Sequence, residues 1–320
     1  MKQAEILDLL RNEPWPNLRR EAEKILLAQK GRHVYVRGLL EFSNICRRNC
    51  LYCGLRAQNN EVVRYRLDRE QILASAASAA GFGVDTIVLQ SGEGACNAEW
   101  LAEVIGDIKR LYGLPVTLSV GERSRADYRL WKQAGADRYL IKHETADADL
   151  YARLHPGYSL DQRIWALERL RDEGYEIGSG FMIGLPGQSL ESIAADIALV
   201  REMHVDMCGA GPFIAQSHTP LASEAGGSVQ LALRVLAVLR ICLPWANLPA
   251  TTALATVDPA EGQINGLRAG ANVLMPSFTP EKYAANYTIY DNKNRVSIAR
   301  AAEAISNAGR TCDLVIHNNK

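Results

Sequence analysis

His33-Val-Tyr-Val-Arg-Gly-Leu-Leu-Glu-Phe42 leads without a break into Ser43-Asn-Ile-Cys46-Arg-Arg-Asn-Cys50-Leu-Tyr52-Cys53-Gly54-Leu-Arg56. The first part reads as a strand. The second hangs three cysteines on the loop after it, spaced C-x3-C-x2-C, with an aromatic just before the third. Three thiolates can hold three irons of a 4Fe–4S cube, a cluster that ordinarily takes four cysteines. The fourth iron is then open to another ligand. A structural zinc site wants four ligands, usually as two spaced pairs, and no second C-x2-C occurs in the chain. A disulfide framework suits short secreted chains, whereas this chain has 320 residues and an odd count of seven cysteines.

Outward from this stretch, strand-like segments at 33–42, 85–90, 115–120, 138–142, 176–183, 205–213, 247–253 and 271–275 alternate with helical ones. The helical segments are 69–81, 98–111, 124–134, 160–173, 189–203, 229–241 and 259–269. Such alternation predicts a parallel sheet. Eight units predict an α/β fold closed as a full (β/α)8 TIM barrel. Gly135-Ala-Asp137 and Gly270-Ala-Asn272 stand where a helix returns to a barrel strand, with glycine as the helix stop. Residues 4–29 carry apolar positions at helical spacing, broken by Pro14 and Pro16, and predict two short helices. The expected division is an N-terminal helical extension, 1–32, and a barrel with a C-terminal cap segment, 33–320.

Lys plus Arg and Asp plus Glu number 36 each, so the formal net charge is zero. That balance argues against a nucleic-acid partner. No run of eighteen apolar residues suggests a membrane span, and charges interrupt the apolar N-terminal positions, unlike a signal peptide. Reduced thiols without an export signal point to the cytoplasm.

In such a barrel the chemistry gathers on loops after the strand C-termini. Gln90-Ser91-Gly92-Glu93-Gly94 falls there and reads either as a grip for an amino acid's ammonium and carboxylate or as an ordinary turn. Gly121-Glu122 adds a second carboxylate. In Lys142-His143-Glu144-Thr145, Glu144 can accept both hydroxyls of a ribose and Lys142 can bind a carboxylate, while His143 reads as a packed histidine. Arg163 reads as a carboxylate partner or as a solvent-exposed arginine. Met182 and Ile183, in a glycine-rich run, offer apolar contact to an adenine. Thr251 and Thr252 aim hydroxyls at the barrel mouth, and Tyr283, Tyr287 and Tyr290 suit a cap. Cys96 and Cys208 lie near strand ends, as candidates for a second cluster or as small buried hydrophobes. Cys242 falls at the opposite barrel end, as a structural residue.

Glu41-Phe-Ser-Asn-Ile-Cys46 through Cys53-Gly-Leu-Arg56, Val88-Leu-Gln-Ser-Gly-Glu93, Ala136-Asp-Arg-Tyr-Leu140 and His143-Glu-Thr145 belong together in one resemblance. Gly184-Leu-Pro-Gly-Gln188, Gly211-Pro-Phe213, Pro249-Ala-Thr-Thr252 and Ala271-Asn-Val273 with Met275-Pro276 complete it. The set resembles the radical S-adenosylmethionine (SAM) superfamily, and within it the E-type maturases of FeFe-hydrogenase, with biotin synthase and methylornithine synthase as kin. The likeness spans residues 33–290; the cysteine motif marks only the superfamily. It implies a 4Fe–4S cluster on Cys46, Cys50 and Cys53 whose open iron chelates SAM, and Tyr52 packed beside SAM. It further implies Ser91, Gly92, Glu93 and Arg163 on the methionine part, Glu144 on the ribose, and the 178–184 strand, with Met182 and Ile183, and the 208–213 strand on the adenosine. Lys142, Thr251 and Thr252 would contact a small anionic iron complex. Some members carry a second cluster on three C-terminal cysteines, where this chain offers only Cys312.

The implied activity is reductive cleavage of SAM to a 5′-deoxyadenosyl radical that acts on a small molecule, in hydrogenase cofactor assembly. Sulfur insertion of the biotin synthase kind, with a second cluster near Cys96 and Cys208, is the alternative. A non-catalytic cluster carrier is a further one. The implied partners are a small-molecule substrate and an electron donor such as a flavodoxin or ferredoxin, with neither nucleic acid nor membrane.

Overall fold

The computed structural model describes residues 1–315. Two helices come first, α1 (Gln3–Arg11) and α2 (Trp15–Lys30), then β1 (Tyr35–Ser43), α3 (Arg69–Gly81), β2 (Thr86–Ser91) and α4 (Ala98–Tyr112). Next are β3 (Val116–Ser119), α5 (Arg125–Gln133), β4 (Arg138–Leu140), α6 (Ala148–Leu154) and α7 (Leu160–Asp172). β5 (Glu176–Ser179), β6 (Met182–Ile183), α8 (Leu190–Glu202), β7 (Met207–Cys208), β8 (Gly211–Pro212) and α9 (Val229–Cys242) continue the pattern. The chain ends through α10 (Thr252–Val257), α11 (Gly262–Arg268), β9 (Val273–Leu274), α12 (Glu281–Ala284) and α13 (Ile298–Asn307).

Seven strands form one parallel sheet in the order β7-β5-β4-β3-β2-β1-β9, and β6 and β8 form a small parallel pair. β1 is buried along all but its first residue, as a parallel strand covered on both faces must be. At the bottom of the sheet a repeated device ties neighbours together. Asp85, just before β2, accepts from Val36 N on β1; Asp137, before β4, accepts from Val116 N on β3; Asp206, before β7, accepts from Ile177 N on β5. Asn272 before β9 accepts likewise from Leu248 N. The Gly-Ala-Asp and Gly-Ala-Asn phrases thus serve strand registration as well as helix termination.

Three sequence expectations change. Residues 176–183 and 205–213 each break into two short strands, because Gly180 passes so close to Gly209 that a Cβ would stand 2.1 Å from the Gly209 carbonyl oxygen. The expected strand at 247–253 makes only isolated parallel bridges among the described residues, Met207 with Asn247 and Pro249 with Val273. Pro249 has no N–H to donate, and Thr251 already caps α10 through Leu254 N. The sheet proper therefore has seven strands rather than eight. Helix ends shift by a residue where Ser124 and Ser189 act as N-caps and accept from Asp127 N and Ser192 N.

α1 packs on α8, and α2 on α9. Ile6, Leu10, Leu18 and Ala22 from these helices join the main apolar core. Among the described residues, no helix is long and apolar enough to cross a membrane. Arg240 on α9 is fully buried and donates to the carbonyls of Gly270, Leu243, Pro244 and Ala246 and to Asn272 Oδ1, at 2.9–3.3 Å. Arg240→Met should therefore lower unfolding stability by at least about 3 kcal/mol, since several buried acceptors lose their donor. An unchanged urea midpoint would contradict this role.

Candidate functional site

The site begins where β1 ends. Asn44 fastens the cysteine loop: its Nδ2 donates to Val63 O and Asn286 O, and its Oδ1 accepts from Tyr65 N, all at 2.7–2.8 Å. Arg64 crosses beneath and donates to the carbonyls of Asn44, Leu55, Arg56 and Asn59. Gly92 packs against the loop so tightly that a Cβ there would lie 2.2 Å from Ile45 O. The three cysteines are partly buried and free. Cys46 Sγ accepts from the amides of Arg48 and Glu93 at 3.4 Å. Burial, together with the neighbouring Cys46, pushes the Cys50 thiol up to about 11, and burial pushes Cys53 higher still. Thiolates here need bound cations to hold them, as cluster irons do. Among the described residues, only His33, Asp85 and Asp313, away from this loop, bring three metal-competent atoms within 4.8 Å of one another. The three thiols therefore stand wider than one zinc ion would draw them.

Beside the loop lies a chain of alternating charges. Arg48 pairs with Glu93 and Glu122 at 2.7 Å each, its guanidinium 3.2 Å from the centre of the Tyr158 ring. Arg163 meets Glu122 at 2.5 Å and donates to Lys142 O. Arg47 adds a second cation to Glu93, at 3.0 Å, and Glu93 Oε2 accepts from Glu122 N. Although burial opposes it, Arg163 and Arg48 hold the Glu122 carboxyl below its ordinary range.

The carboxyl ends of the strands enclose a cavity of about 350 Å³, with Cys50, Cys53 and Tyr52 on one side. Glu144 shapes another wall. Its φ of 66° is a left-handed backbone that glutamate rarely adopts. Lys142 Nζ stands 3.1 Å from Glu144 Oε2, yet that buried oxygen has no hydrogen-bond partner. Burial raises the carboxyl, but Lys142 and Arg163 hold it below the ordinary range. A strained backbone presenting a carboxylate whose one cation is Lys142 suits a ligand with adjacent hydroxyls. Tyr52 is held by His155: its hydroxyl is 2.9 Å from Nε2, while Nδ1 is 2.9 Å from Tyr151 O. Burial keeps His155 neutral, its pKa lowered to about 4, so Nδ1–H donates to the carbonyl and Nε2 accepts from Tyr52.

Of the residues expected from sequence, Tyr52, Lys142, Glu144, Met182, Thr251 and Thr252 line this cavity with Cys50 and Cys53. Others do not. Ser91 Oγ donates to Gly92 O, and both Glu93 oxygens are engaged. Ile183 lies in the apolar core behind Met182. Arg163 is 9% exposed and paired, rather than free in solvent. His143 is wholly buried between Ser179 Oγ at 3.0 Å and Asp196 at 3.4 Å. Cys96 and Cys208 join the apolar core and neither lines the cavity; burial pushes Cys208 up to about 12. Alternation along β7 points Met207 inward and Cys208 outward. Cys242 is likewise buried, its sulfur near Met1 Sδ. Tyr290 lines the cavity and Tyr287 is buried, whereas Tyr283 stacks on Tyr65.

Sequence reasoning missed Glu41, Lys293 and His155. Glu41 is 1% exposed on β1, pairs with Lys293 at 2.6 Å, and both line the cavity. A carboxylate inside the apolar run Gly38-Leu-Leu-Glu41-Phe was the available signal. Lys293 and His155 lie in segments without periodicity.

A three-thiol loop at the end of β1, facing a cavity at the strand ends, matches one known family profile, the Radical SAM superfamily, over residues 40–200. The chain belongs to the radical SAM superfamily. It is an enzyme of that class, using a 4Fe–4S cluster and SAM. It is 45% identical to the FeFe-hydrogenase maturase subunit HydE of Thermotoga maritima over 85% of this chain and 78% of that protein. It is 29% identical to 3-methylornithine synthase of Methanosarcina acetivorans over 88% of this chain and 81% of that protein. The crystal structure of methylornithine synthase (PylB) superposes with a TM-score of 0.84 at 26% identity, covering 97% of this chain and 94% of that one.

The strain at Glu144 yields a sharp expectation for this radical SAM site. Glu144→Gly should fold as stably as the parent or better, because glycine relieves a conformation costing about 1–3 kcal/mol. SAM affinity should nevertheless fall at least about tenfold, since charge-assisted hydrogen bonds contribute about 1.5–3 kcal/mol. Calorimetric titration with SAM, alongside a melt, reads both. Unchanged affinity would contradict a ligand role for this carboxylate.

Proposed function

We propose that this radical SAM enzyme acts in assembly of the FeFe-hydrogenase cofactor, on a small anionic iron complex held in the barrel. The observation that carries this reading is the 45% identity to HydE, sustained over 85% of the chain. We read the fold as a closed (β/α)8 barrel. The 247–250 segment bonds to Asp206 and Cys208 on one side and to Asn272 and Val273 on the other, which supports it as the eighth staves' position. Residues 1–32 then form an extension beneath the barrel, and the enzyme works in the cytoplasm.

In this reading Cys46, Cys50 and Cys53 ligate the cluster. When bound, the cluster supplies the electron that breaks the sulfonium C5′–S bond of SAM and leaves a 5′-deoxyadenosyl radical. The chain's own residues orient and enclose. Glu144 accepts from the ribose hydroxyls, and Met182 packs on the adenosine. Tyr52, oriented by His155, closes the cysteine side. Arg163, fixed by Glu122 and by the Lys142 carbonyl, is the candidate partner for the methionine carboxylate. Lys142, Thr251 and Thr252 offer donors to anionic ligands, and Leu39, Val88, Leu140 and Phe213 line the remainder with apolar surface, keeping water from a reactive radical.

Sulfur insertion at a second cluster finds no support here. Its two candidate thiols are buried away from the cavity, and two could not fill a cluster's ligand set. Anaerobically reconstituted Cys96→Ser/Cys208→Ser protein should bind the same iron as the parent, about four per chain, and cleave SAM equally fast. Loss of several irons in that variant would revive the second-cluster reading. The substrate itself is tested by paired incubations with SAM and reductant, one with dethiobiotin and one with a cysteine-bound iron complex of carbonyl and cyanide. Conversion of the iron complex alone is expected. Biotin from the first incubation would overturn the proposal.

A further inference from the structure

The chain is neutral overall, but its charge is unevenly placed. Between the end of β1 at Ser43 and the α3 cap Asp68 lie five arginines, at 47, 48, 56, 64 and 66, against one carboxylate, Glu61. This is the segment that carries the three cysteines. Arg47 and Arg48 are balanced by Glu93 and Glu122. Arg56, Arg64 and Arg66 form no ion pair among the described residues: Arg56 bonds Gln58, Arg64 bonds only carbonyls, and Arg66 bonds Ala95 O. The same segment exposes two large aliphatic side chains, Ile45 at 40% and Val63 at 68%. Asn44 ties them to one place, since its amide bonds Val63 O and Ile45 follows it in the chain. Ile45 immediately precedes the ligand Cys46.

We infer that the surface of residues 45–66 is the docking face for an acidic one-electron carrier protein, whose reduced cofactor would pass its electron to the cluster that Cys46, Cys50 and Cys53 would hold. The inference rests on the radical SAM reading, which requires a reductant from outside. The carrier loses one electron and the cluster gains one, with no bond formed at the contact. Charge complementarity selects the partner: uncompensated guanidinium groups steer an acidic surface, while an apolar centre with a polar rim is the build of a protein interface. Position sets the purpose. Ile45 adjoins the ligand Cys46, and none of Ile45, Arg56, Val63 and Arg66 lines the substrate cavity, so a partner bound here would leave the cavity unobstructed.

The test compares two reductants on reconstituted holoenzyme: flavodoxin hydroquinone, an acidic protein, and dithionite, a small molecule that needs no docking face. The variant is Arg56→Glu/Val63→Asp/Arg66→Glu, with Arg56→Lys/Arg66→Lys as the charge-conserving control. Flavodoxin-driven formation of 5′-deoxyadenosine should fall at least about tenfold in the reversal variant through a raised KM for flavodoxin, while the lysine control keeps most of it. Dithionite-driven cleavage should stay within about twofold of the parent in both. For the parent, raising salt from about 50 to about 300 mM should slow the flavodoxin arm alone. Equal flavodoxin-driven rates in parent and reversal variant would overturn the inference. So would a parental flavodoxin arm indifferent to salt, an outcome that does not depend on the variant folding well. A parent that cleaves no SAM even with dithionite would instead overturn the radical SAM reading itself.

Discussion

A four-iron cube offered only three protein thiolates must take its last ligand from outside, and this site is arranged around that vacancy in the ligand set. The three thiols sit in one loop at the end of β1, and burial raises the pKa values of Cys50 and Cys53, so these two favour thiolate only with metal present. Such a loop must be held rigidly, because a misplaced sulfur loses its iron. Asn44 and Arg64 do this with seven hydrogen bonds to backbone groups, six of them to carbonyls. Gly92 lets the end of β2 press against the loop. The Arg48–Glu93–Glu122–Arg163 chain then carries the fixed geometry toward Lys142 and Glu144.

Polarity divides the molecule along the sheet axis. At the bottom, carboxylates register neighbouring strands, and Arg240 knits α9 to the strand ends. At the top, charged groups line a cavity and keep some of their bonding capacity unused, most clearly at Glu144 Oε2. Backbone strain and a buried, cavity-lining carboxylate coincide at one residue, as they do where a fold is built to receive a ligand.

Much of this was legible in the sequence because it rests on local rules. The cysteine spacing, the strand–helix alternation and helix starts to within a residue of Arg69, Arg125 and Leu190 follow from chemistry within a few residues. The cavity-lining Lys142, Glu144, Thr251 and Thr252 were readable because they lie at strand ends. What escaped depended on tertiary contact. Nothing near Lys293 announces that it will meet Glu41 across the barrel mouth, and nothing near His155 announces Tyr52. Period-two alternation could have turned Cys208 away from the cavity, but a two-residue strand gives that rule little length to act on. The segment at 247–253 looked like a full strand because its apolar content is right; Pro249 and the cap at Thr251 shorten it.

The central claim is that the iron left open by Cys46, Cys50 and Cys53 binds SAM directly. Electron–nuclear double resonance on the reduced, reconstituted enzyme, with SAM labelled by 15N in its amino group, reads that bond. A 15N coupling to the cluster that is absent from the unlabelled sample is the expected result. A well-formed cluster spectrum that SAM leaves unperturbed, with no 15N coupling at saturating SAM, would contradict the account.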